Sequence, residues 1–393
     1  MLNTQLSPWP SFNEEEIAAV SQVLRSNKVN YWTGEQGRKF EKEFAAYTDS
    51  KYAVAVSNGT LALDLALHAL GVSKGDEVIV TSRTFIASIS SIINAGATPI
   101  FADVELDSQN ISAATIKAVV TQKTKAIICV HLAGWPCEMD DIMALAKQNS
   151  LYVIEDCAQA HGTKYKGKSV GSIGHIGAWS FCQDKIMTTG GEGGMLTTND
   201  EELWRKAWAF KDHGKSYAAV YEKQHPPGYR WLHESFGTNW RLTEMQSAIG
   251  RIQLTRMPTW TKLRNDNAEK IFQVCRQYPW LFVPRVPDNI VHAYYKCYVF
   301  VDKNKLPKGS SRDNIITTIN EFNVPCYSGS CSEVYKEKAF DNTDLQPKVS
   351  LKHAQLLGES SLMFLVHPTL TNIEMNNVCQ ALTQALDNID NNT

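Results

Sequence analysis

The chain has 393 residues, 43% of them hydrophobic, which supplies core for two domains and excludes a small peptide-like module. Its 39 Lys and Arg stand against 41 Asp and Glu, a formal net charge of −2 with no long run of one sign, so nucleic-acid binding is not expected. No window approaches the ~20 apolar residues of a membrane span. The start MLNTQLSPWPSF has no basic segment ahead of an apolar one, and the chain is read as soluble and cytoplasmic. Nine cysteines, an odd number without a CxxC pair, are read as free thiols, with neither a disulfide framework nor a metal site.

Ser11 and Glu14 stand in capping-box spacing ahead of Ile17, Val20 and Leu24, which predicts a surface helix over 11–26. From about 52 to 155 the apolar runs YAVAV, EVIVT, TPIFA, KAIICV and LYVIE alternate with helical stretches. That alternation predicts a mostly parallel sheet covered on both faces, with ligands at the strands' C-terminal ends. Residues 162–169 satisfy the GxxxxGK[ST] phosphate-loop pattern, but the strand before them ends near Asp156 and the glycine-rich VGSIGHIG follows where a helix should open. A solvated basic hairpin is expected there instead. Short strands GAWSFC and GGMLTT precede a helix over about 200–213. Met245, Ala248, Ile249 and Ile252 predict a further helix ending near Met257-Pro258, where the domain break is placed. This gives a large α/β domain over 1–258 and a smaller C-terminal α+β domain over 259–393. The smaller domain would carry helices at about 262–277 and 311–322 and a strand in YYKCYVFV. There is no repeat, and no low-complexity segment beyond the polar tail DNIDNNT.

Chemistry concentrates between Leu151 and Leu196, where the strand LYVI delivers Glu155-Asp156, Gln159 follows, and SFCQDKIMTTGGEGGM brings Ser180 and Lys185. A lysine captures an aldehyde only as a free amine, which calls for a sheltered pocket. A carboxylate at a strand end can keep a pyridine nitrogen protonated, making the ring an electron sink. Ser57-Asn58-Gly59-Thr60 leaves a strand and opens the apolar helix LALDLALHAL, a place where backbone amides and a hydroxyl can hold a phosphate. A phosphate, an acid and a lysine together are what pyridoxal phosphate requires.

These residues resemble the DegT/DnrJ/EryC1/StrS family of nucleotide-sugar aminotransferases, pyridoxal-phosphate enzymes of fold type I. The likeness is carried by SNGTLAL at 57–63, TFIAS at 84–88, HLAG at 131–134, EDCAQAHG at 155–162, GEGGM after Lys185, and GTNWRLTEMQSAIGRIQL at 237–254. The resemblance implies that Lys185 bonds the cofactor's aldehyde, that Asp156 pairs with its ring nitrogen, and that Gln159 meets the ring hydroxyl. It implies Phe85 stacked on the ring and Gly59, Thr60 and Ser180 on the phosphate. Asn239 would reach in from a second subunit, so a homodimer with shared sites is implied.

TTGGEGG carries one more glycine than the commoner family form, and Pro325–Cys331 stands where the resemblance implies a His-rich, sugar-contacting string in many members. His367, in LMFLVHP, is read as packing. Arg241, Arg230 and Lys215 are candidates for a diphosphate, with ordinary surface charge as the competing reading. The activity implied is transfer of an amino group from glutamate, leaving 2-oxoglutarate, to a nucleoside-diphosphate keto-sugar for surface polysaccharide or glycan synthesis. C4 of a 4-keto-6-deoxy sugar is the expected position and C3 the runner-up. A sugar dehydratase on the same fold would replace the lysine with histidine, against Lys185, and a non-catalytic regulatory relative is the remaining alternative.

Overall fold

All five apolar runs of the N-terminal half become strands of one seven-stranded sheet. Its order is Tyr52–Val56, Gly194–Thr198, Ile176–Ser180, Tyr152–Asp156, Thr124–Val130, Glu77–Thr81, Thr98–Ala102. Gly194–Thr198 runs antiparallel to both neighbours and every other pair is parallel, so the sheet is mixed. Val78, Ile79, Val80, Ile127 and Ile128 have no exposure, as expected of strands covered on both faces. The computed structural model describes residues 6–391. The first five residues of the start tested for a signal segment, and the last two of the polar tail, lie outside the described residues.

The C-terminal part builds a separate core on a four-stranded sheet ordered Leu281–Phe282, Cys297–Val301, Ser361–Phe364, Cys326–Tyr327, all antiparallel. Helices Arg312–Glu321 and Asn372–Asn391 accompany it, an α+β arrangement. The phosphate-loop look-alike forms a small hairpin pairing Lys164 with Ser169 and Tyr165 with Lys168, turned by Lys166 and Gly167 at positive φ.

Two local expectations need correction. The first helix is Glu14–Ser26, and its capping box joins Asn13 to Glu16, not Ser11 to Glu14. An Asn side chain caps as well as Ser and stands one residue from the first turn, so the box with both partners in place wins. The helices foreseen on either side of Pro258 are one, Glu244–Cys275, with the proline inside. A proline within a helix costs about 3 kcal/mol. Here packing on both sides outweighs that cost: Leu254 and Met257 belong to the core between the helices and the large sheet, and Ala268, Ile271 and Phe272 to the C-terminal core. The long helix thus crosses from one core to the other between Met257 and Ala268. The chain's start also belongs with the C-terminal part, because Leu6 packs on that core and the Ser7 amide and hydroxyl both donate to Glu374.

Candidate active site

Loops leaving the strand ends of the large sheet line a cavity of about 960 Å³ closed by residues of the smaller sheet. Lys185, Asp156, Gly59, Thr60, Phe85, Gln159 and Ser180 all line it, and Asn239 does not. A second concavity of about 750 Å³, between the first and the long helix, carries Glu15, Glu35, Glu43, Glu244 and Arg251 and none of the residues singled out above.

Asp156 ends its strand almost fully buried. Ser88 Oγ donates to its Oδ2 at 2.9 Å and the Ala158 amide to its Oδ1 at 3.2 Å. Burial pushes the carboxyl above its ordinary range, opposed by those two donors and by the charge of Lys185. A buried carboxylate satisfied only by neutral donors is suited to a cationic N–H from a ligand, as a pyridinium provides. Behind it, the Cys137 amide donates to His131 Nδ1 at 3.1 Å, which leaves the ring proton on Nε2 to donate to Glu155 at 2.9 Å. Glu155 also receives the Ile173 and Gly174 amides at 2.9 and 2.6 Å. His131 and Glu155, with Cys157, sit close enough to hold a metal. The His131 and Glu155 ligand atoms are already spent on this network, which pins neighbouring strand ends.

Gln159 Oε1 accepts the Ala133 amide at 2.8 Å. That bond assigns the side-chain oxygen as acceptor and leaves the NH₂ of this cavity-lining residue as a donor suited to a ring oxygen. Ala133 itself is held at φ 55° between Gln159 and the Tyr295 amide, which donates to its carbonyl at 2.8 Å.

Lys185 Nζ lies 3.7 Å from Asp184 and 5.1 Å from the centre of the Tyr295 ring. The Trp9 indole N–H holds the Lys185 carbonyl at 2.9 Å. Burial alone would raise Asp184, but the charge of Lys185, the Tyr295 hydroxyl and Lys296 outweigh it and leave the carboxyl below its usual range. Phe85 is 69% exposed, an aromatic face open to a planar ligand.

The helix Gly59–Ala69 starts directly from the first strand, with Asn58 capping the Leu61 amide at 2.9 Å. A Cβ on Gly59 would stand 2.5 Å from Ser180 Cβ, so only glycine lets the helix's first turn lie against Ser180. The first amides of a helix lack intrahelical acceptors. Ser180 Oγ accepts the Cys182 amide at 3.3 Å, which keeps its own hydrogen for a ligand. These donors, with the Thr60 hydroxyl, form a cradle fitted to a phosphate group.

His367 stacks on Trp9 and bonds Thr369, away from the cavity. Lys215 and Arg241 are drawn to Asp212 at 3.3 and 2.7 Å, and Arg230 stands on an exposed segment, so none of the three diphosphate candidates lines this chain's cavity. The Gly329–Cys331 stretch of the Pro325–Cys331 segment also lines the cavity, whereas sequence reasoning missed Ser88, although it closes the TFIAS string, and missed Tyr295, Lys296 and Tyr298. Those come from the second domain, where no local pattern marks them.

The DegT/DnrJ/EryC1/StrS aminotransferase family model matches residues 10–383. The chain is 65% identical to a crystallised aminotransferase from Psychrobacter cryohalolentis, with TM-score 0.97 over 98% of this chain and 100% of that one. It is 40% identical to a spore coat polysaccharide biosynthesis protein of Bacillus subtilis, over 80% of each chain. It is 35% identical to GDP-perosamine synthase of Escherichia coli O157:H7, over 95% of this chain and 96% of that one.

Proposed function

The chain belongs to the DegT/DnrJ/EryC1/StrS aminotransferase family, and from that premise we propose that it moves an amino group from glutamate to C4 of a nucleoside-diphosphate 4-keto-6-deoxy sugar. It is a pyridoxal-phosphate-dependent sugar aminotransferase. Its product would feed surface polysaccharide synthesis, in keeping with the spore coat and perosamine relatives. The observation that carries the reading is one cavity in which Lys185, Asp156 and the Gly59–Ser180 cradle converge.

Pyridoxal phosphate, when bound, supplies a carbonyl that receives the amino group and a ring that draws electrons from the amino acid's Cα. The chain's own residues do the rest. Gly59, Thr60 and Ser180 hold the phosphate, Phe85 covers the ring, and Gln159 donates to its hydroxyl. Asp156 keeps a proton on the ring nitrogen, paired against a carboxylate that burial would otherwise leave uncompensated. Lys185 Nζ takes the proton from glutamate's Cα and, in the return direction, gives one to the sugar carbon. Both substrates use the same cavity in turn, so ping-pong kinetics follow.

The site is proposed to be shared between two copies of the chain, with Asn239 serving the partner's phosphate. Asn239 is exposed and follows a segment presenting Tyr229, Trp231 and Phe236 at 75, 83 and 99% exposure, an apolar surface that a second copy would cover. Mixing Lys185→Ala with Asn239→Ala protein should restore one working site per dimer, and no recovery would assign Asn239 to its own subunit. For the reaction itself, incubation with glutamate and a panel of nucleoside-diphosphate 4-keto-6-deoxy sugars should yield a 4-amino sugar by NMR. A 3-amino product would move the position, and no transfer to any sugar would reject the reading.

A further inference from the structure

Lys296 stands immediately before the small-sheet strand Cys297–Val301 and lines the cavity beside Tyr295. Its Nζ lies 4.8 Å from the centre of the Tyr295 ring, and Lys185 Nζ lies 5.1 Å from the same centre, so one ring neighbours both ammonium groups. The backbone there is fixed from two directions. The Tyr295 amide donates to the Ala133 carbonyl at 2.8 Å, while Arg264 Nη1 donates to the Tyr294 and Tyr295 carbonyls at 3.3 and 3.5 Å. A held segment, not a free loop, presents Lys296 to the cavity.

Its charge has no counterpart. Among the described residues, Lys296 Nζ has neither a hydrogen-bond acceptor nor an ion-pair partner. Asp184, the acid whose charge reaches it, is already committed: one oxygen accepts the Tyr295 hydroxyl and the other lies 3.7 Å from Lys185 Nζ. Of the other carboxylates lining the cavity, Glu192 and Glu337 are exposed, and Asp156 is held by Ser88 and the Ala158 amide. Burial pulls the Lys296 pKa down, Asp184 opposes that, and Arg264 and Lys185 add to it. Around Tyr295 three cations, Lys185, Lys296 and Arg264, thus stand against one carboxylate. A half-buried cation left unpaired is costly until a ligand brings the anion.

The lining narrows what that ligand is. Among the described residues that line the cavity, Lys185 and Lys296 are the only cations, and there is no arginine. Lys185 is reserved for the cofactor and for proton transfer, which leaves Lys296 to meet an anionic substrate. Under the aminotransferase reading two anions enter in turn. The acceptor's diphosphate hangs from the sugar carbon across the ring from the one that is aminated. The donor's α-carboxylate is bonded to the very carbon that carries the nitrogen, and its side-chain carboxylate follows a short chain away. An ammonium that shares a tyrosine ring with Lys185 therefore matches the donor.

We propose that Lys296 pairs with a carboxylate of the amino donor during the first half-reaction. This rests on the aminotransferase reading above and gives that site its donor contact. Stopped-flow absorbance of the cofactor-loaded protein separates the two halves. With glutamate, Lys296→Met should lose about ten- to a hundredfold in the second-order rate of bleaching, the size of one charge-assisted hydrogen bond, mostly through affinity. Lys296→Arg, which keeps the charge, should recover most of that loss, and Lys296→Gln should not. Loaded with pyridoxamine phosphate and given the best keto-sugar of the panel, Lys296→Met should stay within about twofold of wild type. Equilibrium titration with glutarate, a dicarboxylate that cannot react, should show about tenfold weaker binding in Lys296→Met. Glutamine sorts the two carboxylates: equal losses with glutamate and glutamine assign the α-carboxylate, and a loss confined to glutamate assigns the side chain. Bleaching by glutamate that is unchanged in Lys296→Met overturns the proposal. So does slowing of the acceptor half, alone or equally, which would give the lysine to the diphosphate. Should Lys296→Met fail to fold, Lys296→Gln carries the same test. Wild-type protein that glutamate does not bleach overturns the underlying reading instead, a result distinct from wild type and Lys296→Met bleaching alike.

Discussion

Asp156 and Ser180 on the sheet side of the cavity and Gly329, Ser330 and Cys331 on the small-domain side face the same space but are held by different means. The first two end buried strands, 6 and 7% exposed, and their positions follow from the sheet's register. The other three sit on a loop whose place depends on a tyrosine, two serines and an arginine from elsewhere in the chain. Reaction chemistry is built on the part of the fold that cannot shift without breaking the core. The small-domain loop, by contrast, is a part whose place a few substitutions can reshape.

That contrast can be broken most severely at Lys185. Lys185→Ala should abolish transfer, and a residual rate near wild type in a glutamate assay would remove the lysine from its role. Next in size, Asp156→Asn should lower turnover by roughly a hundredfold or more, as removal of a key electrostatic group does, while pyridoxal phosphate still binds. Near-normal turnover would show that the buried carboxylate does not hold the ring proton. Gly59→Ala should drive a methyl into Ser180 and weaken cofactor retention about tenfold in equilibrium dialysis, with acceptor preference unchanged. A shift in sugar preference there would blur the division between the two walls.

The smallest effect concerns stability. His161 and His292 are pushed down to about 3 and His367 to about 4 by burial, helped at His161 by the charges of Lys185 and Arg264, and at His367 by Arg264 and Lys296. An unfolded histidine takes its proton near pH 6.5, so these three contribute stability above that value and lose it as pH falls toward their folded values. Denaturant unfolding should therefore weaken between pH 7 and 5. His161→Phe should flatten that slope by up to ~1.4 kcal/mol per pH unit, the contribution of one proton. An unchanged slope would mean His161 is not held neutral.

The sheet strands were legible because each is a short apolar run bounded by turn residues, and the strand-to-helix turn at SNGT because it sits between such a run and an apolar helix. Resemblance to the family singled out Lys185, Asp156 and Gln159, and the fold brings them to one cavity. Pro258 misled because its local cost is visible in sequence while the packing on both sides of it is not. The first cap was misplaced by two residues because Ser11 and Asn13 offer the same chemistry. The segment holding Ser330 was marked by its place in the family pattern, but its contact with Arg83 was not legible, since 247 positions separate the two and only the fold makes them neighbours.

Borohydride reduction of the cofactor-loaded protein followed by peptide mapping tests the central claim most directly. The account predicts the pyridoxyl label on the peptide carrying Lys185 and on no other. Label on a different lysine, or none at all, would contradict it.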